Sequence, residues 1–207
     1  MGETNEMANL AGTTGELGAS RVDRARVEAA VRELLAAIGE DPNREGLVGT
    51  PDRVARACEE LFGGIGQDPA AHLRKQFHED AGGGIVVVRD IPFHSMCEHH
   101  LLPFVGVAHV AYLPREGRIT GLSKIARCVA GFAARPQVQE RLTAQVADAM
   151  VAGLEPEGVL VVMEAEHTCM TMRGIRAAGA KTTTIATRGA FDADASLRAE
   201  ALSLLGQ

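Results

Sequence analysis

The chain has 207 residues, a formal net charge of −6, 3% aromatic residues and no tryptophan. Net acidity excludes a general nucleic-acid binder, which carries a strong basic excess, and no apolar run is long enough to span a membrane. Apolar residues make up 46%, enough for one sizeable domain with an aliphatic core and a smaller appendage.

Residues 1–19 lack periodicity, a basic start and an apolar stretch, so they read as a flexible tail and not as a secretory signal. Glu6 stands where a myristoylation signal needs Ser or Thr. A cytoplasmic location follows. The four cysteines, Cys58, Cys97, Cys128 and Cys169, then read as thiols or metal ligands, not disulfides. Ser20 opens a predicted helix as N-cap, with Asp23 at the capping-box position. Val27, Ala30, Val31, Leu34, Leu35 and Ile38 follow at helical spacing until Gly39. Thr50 caps a second helix with Pro51 at its first position. Its apolar stripe is Val54, Ala57, Cys58, Leu61 and Phe62, which makes Cys58 a core thiol. Residues 20–82 form a predicted N-terminal helical arm.

Past Gly82-Gly83-Gly84 the pattern changes, and residues 83–207 read as the catalytic domain. Ile85–Val88 and Val105–Leu113 read as strands. Ser123 caps a helix that turns Ile125, Cys128, Val129 and Phe132 inward, making Cys128 a second core thiol. Pro136 starts another helix through Val138, Leu142, Val146, Ala149 and Met150. Val159–Ala165 and Thr182–Thr187 are the third and fourth strands. The order β-β-α-α-β-β predicts an α+β domain: four antiparallel strands with two helices on one face.

The reactive residues concentrate in SMCEHHLLPF, residues 95–104. Cys97 and His100 have C-x-x-H spacing, which lets one tight turn aim a sulfur and a nitrogen at one point. A third ligand has to come from elsewhere, and Cys169 in EAEHTCMTMRG, just past the third strand, is the best placed. A Cys-His-Cys set leaves one coordination position for water, the form of a catalytic zinc site. A closed structural site remains open if His99 or His167 joins. Otherwise both imidazoles are free for acid–base work beside the metal. His94 and His109 read as structural, and Glu98 as either an imidazole partner or a turn residue. Ser123, Lys124 and Arg127 gather at a predicted helix start, which with its free amides suits an anion such as phosphate. Arg173 and Arg176 follow Cys169 closely. These residues describe a zinc-dependent hydrolytic enzyme acting on an anionic substrate.

EDPNREGLVGTPDRVA, SMCEHHLLPFVGVAHVAYLP, ITGLSKIARCV, RPQVQERLTAQVADAM and EAEHTCMTMRGIRAAGAKTTT, in this order from about residue 20 onward, closely resemble the GTP cyclohydrolase I family. The resemblance implies hydrolysis of GTP to 7,8-dihydroneopterin triphosphate and formate, the opening step of the pterin and folate route. Water adds at guanine C8, the ring opens, formate leaves, and an Amadori-type rearrangement precedes ring closure. By motif, Cys97, His100 and Cys169 resemble the ligands of one Zn2+ per subunit, and His99 and His167 the acid–base residues. Glu140, with Gln139 beside it, resembles the guanine-binding carboxylate. Ser123, Lys124, Arg127 and Arg173 resemble the triphosphate grip, and Arg53 a residue that reaches a neighbouring subunit's site. The implied fold is the tunnelling fold, or T-fold. Its sheets join between subunits into a barrel, two pentamers stack into a homodecamer, and active sites form between subunits. Ala134 and Ala201 depart from the family pattern, in which Arg and Phe are frequent.

Overall fold

The computed structural model describes residues 22–79 and 83–206. The tail 1–19 and the capping role expected of Ser20 lie outside the described residues. Helix α1 is Arg24–Ala37, and its N-cap is Asp23, whose carboxylate accepts from the Arg26 amide at 3.1 Å. Helix α2 is Thr50–Leu61, with Pro51 in its first turn as expected. Its N-cap is Gly49, because the Thr50 hydroxyl accepts from Arg53 at 2.8 Å instead of capping the helix. The two helices pack on each other, but α1 buries no residue and α2 only Pro51 and Ala55. Leu34 and Ile38 stay 59% and 66% exposed. Cys58 is therefore half-buried and lies outside the core, contrary to expectation. The predicted stripes are present, but this chain supplies little to cover them.

A 3₁₀ turn, Pro69–Arg74, inserts the fully buried Leu73 into the main core. Strand β1 (Gln76–His78) follows, then β2 (Val86–Cys97), β3 (Pro103–Leu113) and β4 (Arg118–Thr120). Next come α3 (Leu122–Ala133), β5 (Pro136–Gln137) and α4 (Gln139–Leu154). Strand β6 (Gly158–His167), α5 (Thr168–Thr171), β7 (Lys181–Gly189), α6 (Ala190–Ala193) and α7 (Ala195–Leu205) complete the chain. The main sheet has the order β5-β2-β3-β6-β7. Its four long strands are antiparallel, as predicted. The two-residue β5 pairs in parallel with Met96 and Cys97. Pro136 thus begins a strand pairing and not a helix: the backbone bonds to β2 first, and α4 starts only at Gln139.

Strand β2 runs to Cys97, far beyond the expected Ile85–Val88. A register shift between Val88 and Ile91, with Asp90 at φ 57°, breaks the alternation. Past it, Ile91, Phe93, Ser95 and Cys97 turn inward. Helices α3 and α4 cover one face over an aliphatic core of Ala108, Val110, Val129, Val146, Val161 and their neighbours. Cys128 lies there fully buried, and burial pushes its thiol up to about 12. Helices α6 and α7 cover part of the opposite face, where Phe191, Ala201 and Leu205 meet Ala111, Leu160 and Val162. Ala201 is fully buried in that layer.

Candidate metal centre and active site

The β2–β3 turn carries the C-x-x-H pair. The Leu101 amide donates to the Cys97 carbonyl at 2.8 Å and the Cys97 amide to Leu102 at 2.9 Å. Leu101 sits at φ 50°, a left-handed conformation that closes the turn within five residues. As a result the Cys97 sulfur lies 3.8 Å from His100 Nδ1. Register brings in the third donor. Phe104, just past the turn, pairs with His167 at the end of β6. The Thr168 hydroxyl donates to the Pro103 carbonyl at 2.6 Å, which fixes the start of α5 and hence Cys169. The ligand atoms of Cys97, His100 and Cys169 all lie within 4.8 Å of one another. Bonds of about 2.3 Å to sulfur and 2.0 Å to nitrogen at tetrahedral angles separate donors by roughly 3.5–3.8 Å; the Cys97–His100 separation is of that order, and the group could hold a metal ion. Burial, then the neighbouring Cys97 thiol, raises the Cys169 pKa in the metal-free group. Arg173 reaches the same place, with a guanidinium nitrogen 3.3 Å from the Cys169 carbonyl and 3.4 Å from His100 Nε2.

The two remaining imidazoles differ. His99 is exposed, its Nε2 3.8 Å from a Glu98 oxygen. Glu98 pairs with Arg141, whose Nε also bonds the Gln137 side chain at 3.0 Å. That guanidinium holds the Glu98 carboxyl below the usual carboxylate range. Glu98 is thus an anchor that ties the metal turn to α4. His167 is half-buried and stacked on the Phe104 ring, with centroids 4.4 Å apart and planes 4° from parallel. Its Nε2 lies 2.8 Å from the Gln139 side-chain oxygen. Burial lowers the His167 pKa, and the charge of nearby Glu140 opposes this. Glu140 is exposed in the first turn of α4. Gln139, expected beside it as a base contact, is 1% exposed, and its amide is spent inside the fold. His109 is structural, as predicted: it is buried, and its Nδ1 accepts from the Asp90 amide at 3.2 Å. His94 is exposed on β2.

The basic set at α3 is not beside the metal group within one chain. The C-terminal end of α3 meets the metal end of β2, where the Ser95 hydroxyl donates to the Ala133 carbonyl at 2.7 Å. Its start follows β4, which pairs through Thr120 with Gln76, and Gln76 in turn bonds the far end of α4 at Gly153. Ser123 and Lys124 thus sit nearly a helix length away, roughly 18 Å for 12 residues, and Arg127 about half that distance along the helix. Ser123 also lies inside the first turn, with Gly121 as N-cap. Arg53 is on α2 in the arm, bonded to Thr50 and to the Gly46 carbonyl. Arg176 is exposed at φ 51° in the loop after α5.

Sequence reasoning missed Phe104, Arg141 and the Thr143–Thr184 pair behind Gln139. Arg141 lies in RPQVQERLTAQVADAM with no spacing that points to Glu98, and only the pairing of β5 with β2 brings the two together.

The fold is of the α+β class, an antiparallel sheet with covering helices, and it carries a Cys-His-Cys group that could hold a metal ion. The family model described as GTP cyclohydrolase I matches residues 27–206. GTP cyclohydrolase 1 of Carboxydothermus hydrogenoformans is 60% identical over 185 residues, covering 89% of this chain and 96% of that protein. The protein of the same name from Geobacillus kaustophilus is 59% identical over 184 residues, 89% of this chain and 97% of its own. That of Mycobacterium leprae is 61% identical over 184 residues, 88% of this chain and 89% of its own. Among solved structures, the archaeosine synthase QueF-Like in its apo form superposes with TM-score 0.44 at 18% identity, over 52% of this chain and 96% of its own. The chain belongs to the GTP cyclohydrolase I family, and its fold is the family's T-fold.

Proposed function

We propose that this protein is a GTP cyclohydrolase I that hydrolyses GTP to 7,8-dihydroneopterin triphosphate and formate. The observation that carries the reading is the convergence of Cys97, His100 and Cys169, with His99 against His100 and His167 two residues before Cys169, in a chain of this family. The ligand set suits one Zn2+ per subunit, since thiolate and imidazole donors at this spacing favour that ion. Bound there, zinc supplies Lewis acidity and a water made acidic near neutral pH. The remaining work falls to the protein. His99, exposed in the metal turn, handles the proton at guanine N7. His167, fixed by Phe104 and Gln139, serves ring opening and the later proton transfers. The Glu140 carboxylate receives the guanine N1–H and amino group, a pairing that adenine cannot offer. Arg173 reaches the triphosphate from the metal side.

Ser123, Lys124 and Arg127 complete the triphosphate grip from a neighbouring subunit, because their own chain places Ser123 and Lys124 at the end of α3 away from its metal group, with Arg127 midway along the helix. Arg53, on the arm, serves a neighbour's site in the same way. This separation favours an assembly, which we read as a homodecamer of two stacked pentamers. Within it residues 20–82 act as the arm and residues 83–207 as the catalytic domain. Among the described residues no helix is long and apolar enough to cross a membrane, in keeping with a cytoplasmic enzyme at the opening step of tetrahydrofolate and pterin biosynthesis. The test is incubation of the zinc-loaded, assembled protein with GTP, followed by oxidation and detection of fluorescent neopterin. Fluorescent product is expected, and none from a zinc-replete assembled sample overturns the reading.

A further inference from the structure

Gln139 is the first residue of α4, yet its side chain points into the protein and is 1% exposed. Its orientation is settled by its partners. One end lies 3.0 Å from the Met163 carbonyl and 2.9 Å from the Thr182 carbonyl. Carbonyl oxygens only accept, so this end is the NH2 group. Both amide hydrogens are used there, with the Thr184 hydroxyl a third neighbour at 3.2 Å. The backbone is pinned as well, because the Thr143 hydroxyl donates to the Gln139 carbonyl at 2.8 Å and sits 2.6 Å from the Thr184 hydroxyl.

The other end of the amide is therefore the oxygen, and it faces His167 Nε2 at 2.8 Å. An oxygen accepts, so that nitrogen carries the hydrogen whatever the charge on the ring. Phe104 fixes the plane of the same ring by stacking. One neighbour sets the plane and the other the nitrogen. We propose that Gln139 is a positioning residue that holds His167 as the Nε2–H tautomer, leaving Nδ1 as the nitrogen that exchanges a proton with substrate or water. Gln139 is then not a base contact, and guanine recognition from this turn belongs to Glu140 alone. The inference rests on the reading of His167 as an acid–base group, and its first test is independent of that reading.

The first test is solid-state NMR of the full-length, zinc-loaded protein labelled with ¹⁵N-histidine, with His167 assigned by the signals lost in His167→Asn. The unsubstituted protein is expected to show His167 protonated at Nε2 and bare at Nδ1 when neutral. The opposite tautomer, or an even mixture, overturns the proposal without any variant. The second test is Gln139→Met, which keeps the length of the side chain and removes both the donor and the acceptor. Its His167 signals are expected to become mixed, with zinc content unchanged. On the order of ten- to hundredfold is expected to be lost from kcat, the scale seen when the hydrogen-bond partner of a metal-ligand imidazole is removed. KM for GTP should stay within about twofold, the pattern of a transition-state effect. A variant that loses GTP affinity with kcat intact makes Gln139 a base contact and overturns the proposal, as does one that keeps full kcat. If the variant does not fold, the spectrum of the unsubstituted protein still decides. Absence of turnover in the unsubstituted protein defeats the functional reading and leaves the tautomer to that spectrum.

Discussion

Cys97 and His100 meet because Leu101 accepts a left-handed backbone, and Cys169 joins them because Thr168 bonds back to Pro103. Two of the three donors are local, and the third is delivered by strand pairing. Cys169→Ser replaces a soft thiolate with a weak ligand, so zinc and activity are expected to disappear together in metal analysis and assay. Retained zinc would remove Cys169 from the ligand set. His167 makes a separate prediction. Burial lowers its pKa in the fold below the usual 6.5. The unfolded chain therefore binds this proton first as pH falls. Stability of the metal-free protein from this residue is full above pH 6.5 and drops as pH falls toward the lower folded value. The thermal midpoint of metal-free His167→Asn should decline less steeply below pH 6.5 than that of the unsubstituted protein. At this scale the sequence was most informative. The C-x-x-H spacing and the EHTC segment named the metal group, since both sit next to a turn or strand end. It was least informative for Gln139 and Glu98, whose partners come from β6, β7 and α4.

The strands and helices that place these residues were legible where their pattern was uniform. Strand β3 is a long apolar run, buried on both faces from Ala108 to Tyr112, and α4 carries Leu142, Val146 and Met150 inward as its spacing predicts. Strand β2 was not legible past Val88, because the shift at Asp90 puts Arg89 and Asp90 where alternation should continue. Helix α7 was overlooked despite its signals: Asp194 caps it through bonds to the Ser196 and Leu197 amides, and Gly206 ends it at φ 79°. The β3–β6 pair tolerates no side chain at Gly106. A Cβ there would overlap the Glu164 carbonyl oxygen and come within 2.7 Å of the Ala165 Cα. Both obstacles are backbone, so Gly106→Ala must push the strands apart. It is expected to cost about 2–4 kcal/mol in denaturant unfolding. Because Phe104–His167 pairing lies two residues away, zinc affinity should fall as well. A variant as stable as the parent would mean the strands can separate freely.

At the level of the molecule, the far placement of Lys124 from Cys169 yields a test of shared sites. Lys124→Ala and Cys169→Ser subunits are each expected to be inactive when assembled alone. If anion grip and metal group come from different chains, co-assembly at equal ratio should restore about a quarter of wild-type activity, the share of sites pairing two intact halves. No recovery in verified mixed assemblies would place both parts in one chain. Nothing in periodicity or spacing showed this separation, because sequence adjacency of motifs does not say which end of a helix meets which end of a sheet.

Strand β7 has one strand neighbour, β6, and among the described residues no strand pairs with its outer side. An unpaired strand edge is sticky: its free amides and carbonyls bind water only until another strand offers itself. Its sequence, KTTTIATRG, has no proline to blunt that edge, and Ile185 on it is 55% exposed. Mass action then enters the stability of the protein, since any partner that seats on this edge binds the folded chain and not the unfolded one. The thermal midpoint should rise with protein concentration under otherwise fixed conditions. A midpoint that stays constant across a hundredfold dilution, on the order of the range where such linkage is visible, would mean that each chain stands alone. If copies of the chain do meet along this edge, then in a dilute cell extract the same arithmetic makes the supply of subunits, as much as any contact within one of them, the quantity that keeps the enzyme folded.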